Sequence, residues 1–222
     1  MIPLADSVNI ANLFGALALL MSFAMLYQRR LGSMLALFSV QSMMVAALAF
    51  WMAALKNAPD LFITGAITML LKGGLVPLLL MVYITKLDVR REVQPAYRMG
   101  WTIALALALV TLSILISGSA MAGSNVLERN MLALGLSLVL MGFLTMIVRH
   151  NAVCQVIGFI SIENGMLLAV IGAGGMPMII ELSIALAVFF SFIIFGIFFF
   201  HIRERFDTLD IRYIDAYRRD RE

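Results

Sequence analysis

Three ionisable residues interrupt apolar runs where water is scarce. They are Lys72 in ITMLLKGGLVPLLLMVYI, Glu163 in GFISIENGMLL and Glu181 in GMPMIIELSIAL. A charge at mid-bilayer costs about 2.5–3.5 kcal/mol on insertion scales, so such residues are rare and usually functional. Sheltering an acid or an amine from water disfavours its charged form and brings proton exchange towards neutral pH. A proton relay needs that property and a packing group does not. Ser161 and Asn164 flank one acid and Ser183 follows the other. Their hydroxyl and amide groups suit bound water and ordinary helix packing alike. The competing reading for each charge is an interhelical ion pair or hydrogen bond that only fixes the packing.

These residues need elements that hold them away from lipid. Of the 222 residues, 63% are hydrophobic and 13% are charged. A soluble domain is about half apolar and roughly a quarter charged, so the solvent implied here is a bilayer. Only helices and closed barrels satisfy their backbone in lipid. A barrel would show alternating strands of roughly ten residues, whereas this chain has unbroken apolar runs of about twenty, the length of a spanning helix. The expected fold is all-α and polytopic, with seven spans at 8–27, 31–55, 61–85, 96–117, 126–148, 152–173 and 177–200. Turn or charge signals separate them: QRRLGS, LKNAPD, TKLDVRREVQP, SGSAMAGSN, VRHN and GAGGMP.

Depth follows from the fixed rise of the helix. At ~1.5 Å per residue, Lys72 lies about 16 Å along its span and Glu163 about 16 Å along its own, so both fall near the midplane and can meet. Glu181 is about 6 Å from the outer end of its span by the same rise. Lys72 is followed by Gly73, Gly74 and Pro77. The proline removes the hydrogen bond to the carbonyl of Gly73, and the glycines permit close approach of another helix. The result is either a loosened turn that admits water or a static kink.

Arg29 and Arg30 follow the first span; Lys86, Arg90, Arg91 and Arg98 follow the third; Arg149 follows the fifth; six arginines follow the seventh. The alternate loops hold only Lys56 and Arg129. By the positive-inside rule the first set is cytoplasmic, the N-terminus is outside and the C-terminus inside. That is the combination an odd number of spans requires. The first apolar run lacks a basic leader and is expected to stay as a helix.

Other chemistry is sparse. His150 and His201 sit at cytoplasmic span ends, where a histidine usually anchors the interface; a proton-entry role for His150 is the weaker alternative. One cysteine, Cys154, rules out a disulfide within the chain. The seventeen methionines suit flexible apolar packing better than copper binding. No haem pair, flavin motif, phosphate loop or iron–sulfur spacing is present, so no cofactor, metal site, nucleic-acid partner or enzymatic chemistry by this chain alone is expected. Residues 203–222 place Phe206, Leu209, Tyr213 and Tyr217 on one face of an amphipathic helix. It would lie on the inner membrane surface or dock a partner.

ITMLLKGGLVPLLLMVYI, GFISIENGMLL and GMPMIIELSIALAVFFSFIIFGIF, followed by FDTLDI, together resemble the HyfE family, hydrogenase component E of formate-hydrogenlyase-type and related group 4 hydrogenase complexes. The stretch from about 126 to 200 is also similar to the three-helix K subunit of respiratory complex I and the C subunit of Mrp-type cation antiporters. The chain then divides into a four-helix membrane segment, 1–120, a K-subunit-like segment, 121–202, and the cytoplasmic tail, 203–222. The resemblance implies intramembrane proton-transfer roles for Glu163 and Glu181 and points to Lys72 as the lysine of the HyfE-type motif. It implies a non-catalytic, multi-pass subunit of the membrane arm in the inner (cytoplasmic) membrane. Its partners would be lipids, antiporter-like membrane subunits and the membrane anchor of a hydrogenase or oxidoreductase module. The alternatives are a subunit of a cation/proton antiporter without redox partners, a purely structural subunit, and an autonomous carrier. The last is disfavoured because no inverted repeat with broken helices is evident.

Overall fold

The computed structural model of the chain describes residues 4–86, 99–121, 123, 125–149, 151–172 and 196. The helices are α1 (Leu4–Tyr27), α2 (Leu31–Lys56), α3 (Pro59–Ile67), a π-helical segment (Thr68–Leu75), α4 (Val76–Lys86), α5 (Met99–Ala120), α6 (Val126–Val148) and α7 (Ala152–Gly172). The α3, π-helical and α4 pieces run on as one span. Six helices among the described residues are therefore long and apolar enough to cross a membrane, and the protein is an all-helical, multi-pass membrane protein. The expected span 177–200 lies outside the described residues but for Gly196. The tail 203–222, Glu181, Ser183, His150 and His201 lie outside them too.

The span ends form where the breakers stand. α2 closes on Asn57, which takes the left-handed conformation at φ 48° with its N–H bonded to Ala53 O. An Asn at that position spares the strain other side chains would meet. Pro59 then opens α3, where its missing N–H costs nothing. Asn151 starts α7 by accepting the N–H of Val153 on its side-chain oxygen at 2.9 Å.

Helices α6 and α7 make the broadest contact in the bundle. Their glycines meet as antiparallel pairs, Gly135 against Gly165 and Gly142 against Gly158. A Cβ added at Gly165 would lie 2.7 Å from Gly135 O and 2.7 Å from Val139 N, so the backbones touch there. Without a hydrophobic drive between helices in lipid, close backbone packing is the main source of cohesion. α1 packs on α2 and α6, and α2 packs on α7 and the third span. Helices on both sides of residue 120 therefore pack against each other. α5 lies on α6 and turns Trp101 and a row of leucines and isoleucines outward.

Three apolar clusters form among the described residues: one joins Leu26, Ala106 and Leu144 between α1, α5 and α6, and two lie at opposite ends of the bundle. Of these two, one joins Phe38, Val76, Leu80, Val156 and Ile160. The other joins Ala18, Val45, Leu61, Leu138 and Leu168. Along α1, α2, α7 and the third span, the sequence passes from one cluster to the other through a short polar stretch. Those stretches form the candidate site.

At the end of the bundle that holds the α1–α2 and α6–α7 corners, Arg149 is buried, with 1% of its surface exposed. Its position just after an apolar span suggests a loop cation facing water; instead it turns inward. Its Nη2 donates to Leu26 O at 2.7 Å, to Met25 O and to Gln28 O. These are among the last carbonyls of α1 and the residue after it, which carry the negative end of its dipole; Met25 O also accepts the N–H of Gln28. Arg149→Met is expected to lower stability by about 1–3 kcal/mol through buried carbonyls left without a donor. Thermal unfolding of the purified chain in detergent tests this; an unchanged midpoint would mean that water serves these carbonyls as well.

Candidate functional site

A buried polar layer crosses the bundle between the two end clusters. At its edge Lys72 Nζ lies 2.8 Å from Glu163 Oε1. Both residues are buried, at 5% and 4% exposure. The depth argument from helical rise placed them at a common level, and they are in contact. Oε2 of Glu163 has no hydrogen-bond partner among the described residues, and neither has Oδ1 of Asn164 beside it.

The third span brings the lysine there by departing from α geometry. Thr68–Leu75 is π-helical, with the N–H of Val76 bonded to Leu71 O. The sequence accounts for the wide turn: Gly73 and Gly74 lower the cost of irregular backbone, and Pro77 cannot donate to Gly73 O. Ser39, on α2, donates its hydroxyl to that carbonyl instead. The backbone of the glycine–proline stretch is thus a wide turn. Such turns are frequent at functional sites.

The remaining polar groups come from α1, α2 and α7. Gln41 Nε2 donates to Ser22 Oγ at 2.6 Å and lies 3.0 Å from Ser161 Oγ. Ser161 Oγ is in turn 3.1 Å from Gln41 Oε1, so this serine and amide face each other along both atoms. Asn164 Nδ2 donates to Ser42 Oγ at 2.9 Å. Gln41, Ser42 and Asn164 are fully buried. Thr68 and Thr64, one and two turns before Lys72, are buried on the third span as well.

The sequence-predicted residues thus divide. Lys72 and Glu163 form an ion pair, and Ser161 and Asn164 lie in the same layer, bonded to α2 rather than to the pair. Glu181, Ser183 and His150 fall outside the described residues. Sequence reasoning passed over Ser22, Ser39, Gln41 and Ser42. The signal for two of them was present: a Gln–Ser pair in the middle of LFSVQSMMVAAL is a polar step in a spanning helix, and such groups bond across helices.

Chemically, the layer offers one carboxylate and one ammonium, both able to exchange a proton, and a set of hydroxyls and amides that hold position. Among the described residues, Oε2 is the acceptor left open on the carboxylate. No protein-family model, no curated protein and no solved structure matches the chain, so the reading of this site rests on its own geometry.

Proposed function

We propose that this chain is a non-catalytic membrane-arm subunit of a complex I-related hydrogenase or oxidoreductase complex. In this reading it spans the inner membrane seven times, with the N-terminus outside, and Lys72 and Glu163 lie on a path for protons or sodium. The observation that carries it is the buried Lys72–Glu163 contact on a π-helical turn. A buried ion pair is a poor means of adding stability, because desolvation consumes most of the attraction. Retaining one at a broken turn, between two apolar seals, suits a group that changes its charge during turnover. Thr64 and Thr68 supply polar surface between the Pro59 end of the span and the lysine. The resemblance to the HyfE family supplies the redox partners, the antiporter-like neighbours and the role of Glu181.

The proposed sidedness rests on the loop charges, which the fold gathers by end. Arg149 joins the α1–α2 corner that holds Arg29 and Arg30. At the opposite end Lys56 Nζ donates to Ile171 O at 3.4 Å.

Ion pumping by the assembled complex in inverted vesicles tests the reading. Glu163→Gln and Lys72→Met are each expected to lower the pumping rate by about 10²-fold or more, the usual weight of a positioned proton-transfer group. Glu181→Gln should act in the same direction. Assembly and full pumping in all three variants would leave the chain a structural subunit. Co-purification of nickel–iron and iron–sulfur polypeptides is expected; their absence would favour a cation/proton antiporter subunit instead.

A further inference from the structure

Several serines within these helices return their hydroxyl to the carbonyl four residues earlier, as Ser113, Ser119 and Ser137 do. That is the local bond a helical serine ordinarily makes. Ser39 does otherwise: its proton goes to Gly73 O on a neighbouring span. This is the carbonyl that Pro77 leaves without its helical donor. Gly73 makes the reach feasible. A Cβ there would lie 3.4 Å from Met43 Cγ, one turn along α2 from Ser39, so the two helices run close together at this point.

Gly73 directly succeeds Lys72, and both belong to the wide turn. Each residue taken into or out of a helical turn rotates the rest of the helix by about 100°. Tightening Thr68–Leu75 to α geometry would therefore swing Lys72 off the direction of α7. We propose that Ser39 is the positioning residue for Lys72: its hydroxyl holds the carbonyl opened by Pro77 and so keeps the wide turn that aims the ammonium at Glu163. The inference rests on the ion-path reading for its bearing on transport, while its test reads the ion pair itself.

The experiment is a double-mutant cycle on the purified full chain in detergent. Thermal midpoints are measured for Lys72→Met, Glu163→Gln and the double variant, first in the parental chain and then with Ser39→Ala. Coupling between positions 72 and 163 is expected in the parental chain, largely lost with Ser39→Ala and regained with Ser39→Thr, which keeps the donor. A side chain that merely adds stability would lower every midpoint equally and leave the coupling intact, and that result overturns the proposal.

Should Lys72→Met not fold, acetylation of Lys72 by acetic anhydride, followed by peptide mass spectrometry, gives the same answer. Ser39→Ala should speed acetylation as Glu163→Gln does, and should add nothing in the Glu163→Gln background. A lysine as protected in Ser39→Ala as in the parental chain rejects the idea. Lost coupling with intact ion pumping in Ser39→Ala would instead count against the ion-path reading and keep this one.

Discussion

Replacing Lys72 with methionine is expected to destabilise the folded chain by about 3–5 kcal/mol, the usual cost of leaving one member of a buried ion pair without its partner. The cause is Glu163. Its Oε1 has the ammonium as its counter-charge, and its Oε2 has no hydrogen-bond partner among the described residues. The lysine is thus the main compensation the carboxylate has. The double variant Lys72→Met/Glu163→Gln should recover most of the loss, since uncharged replacement of a buried pair is often neutral or stabilising. Glu163→Gln alone should cost less than Lys72→Met, because a lysine has a long stem with which to carry its ammonium towards water. Unfolding midpoints of the purified chain in detergent give all three values. Equal midpoints for the parental chain and Lys72→Met would show that the carboxylate is already solvated, and would remove the premise of a sheltered pair.

The second large effect concerns Gly165, one residue beyond Asn164. A Cβ at this position meets Gly135 O and Val139 N at 2.7 Å and Leu138 Cβ at 2.9 Å. Two of those three atoms are backbone, which cannot rotate away. Overpacking against side chains usually costs about 1–3 kcal/mol; against backbone, the helices themselves must separate. Gly165→Leu is therefore expected to abolish the folded chain, and Gly165→Ala to lower its midpoint clearly. Moving α7 also moves Glu163 and Asn164, so the alanine variant should weaken the Lys72–Glu163 coupling as well as the fold. Gly118 on α5 is the matched control, because a Cβ there meets nothing within 4 Å and Gly118→Ala should be silent. Folded yield and detergent unfolding decide the matter; a Gly165→Ala chain as stable as the Gly118→Ala control would show that α6 and α7 tolerate separation.

The span assignments illustrate how much a bilayer simplifies sequence reading. The run at 126–148 coincides with α6, and 31–55 and 152–173 each differ from α2 and α7 by one residue. Charges and breakers are costly in hydrocarbon, so most of them fall at the ends of spans and mark those ends sharply. Depth was legible for the same reason: a fixed rise per residue put Lys72 and Glu163 at one level before any contact was known. The azimuth was not. Helices apolar on every side give little sign of which face turns inward, so Gln41 and Ser42 did not stand out as members of a site.

What the amino-acid sequence determined by itself was solvent, element type and height along the membrane normal, because composition, apolar run length and helical rise are properties of the chain alone. What only the tertiary structure decided was direction around each helix. The wide turn at Thr68–Leu75 alters the count of residues per turn, the backbone contact of Gly135 with Gly165 sets how near α7 stands to α6, and the inward course of Arg149 answers carbonyls from a helix more than a hundred residues earlier. Each depends on a partner that is distant in the chain, and no local pattern can specify where such a partner will lie.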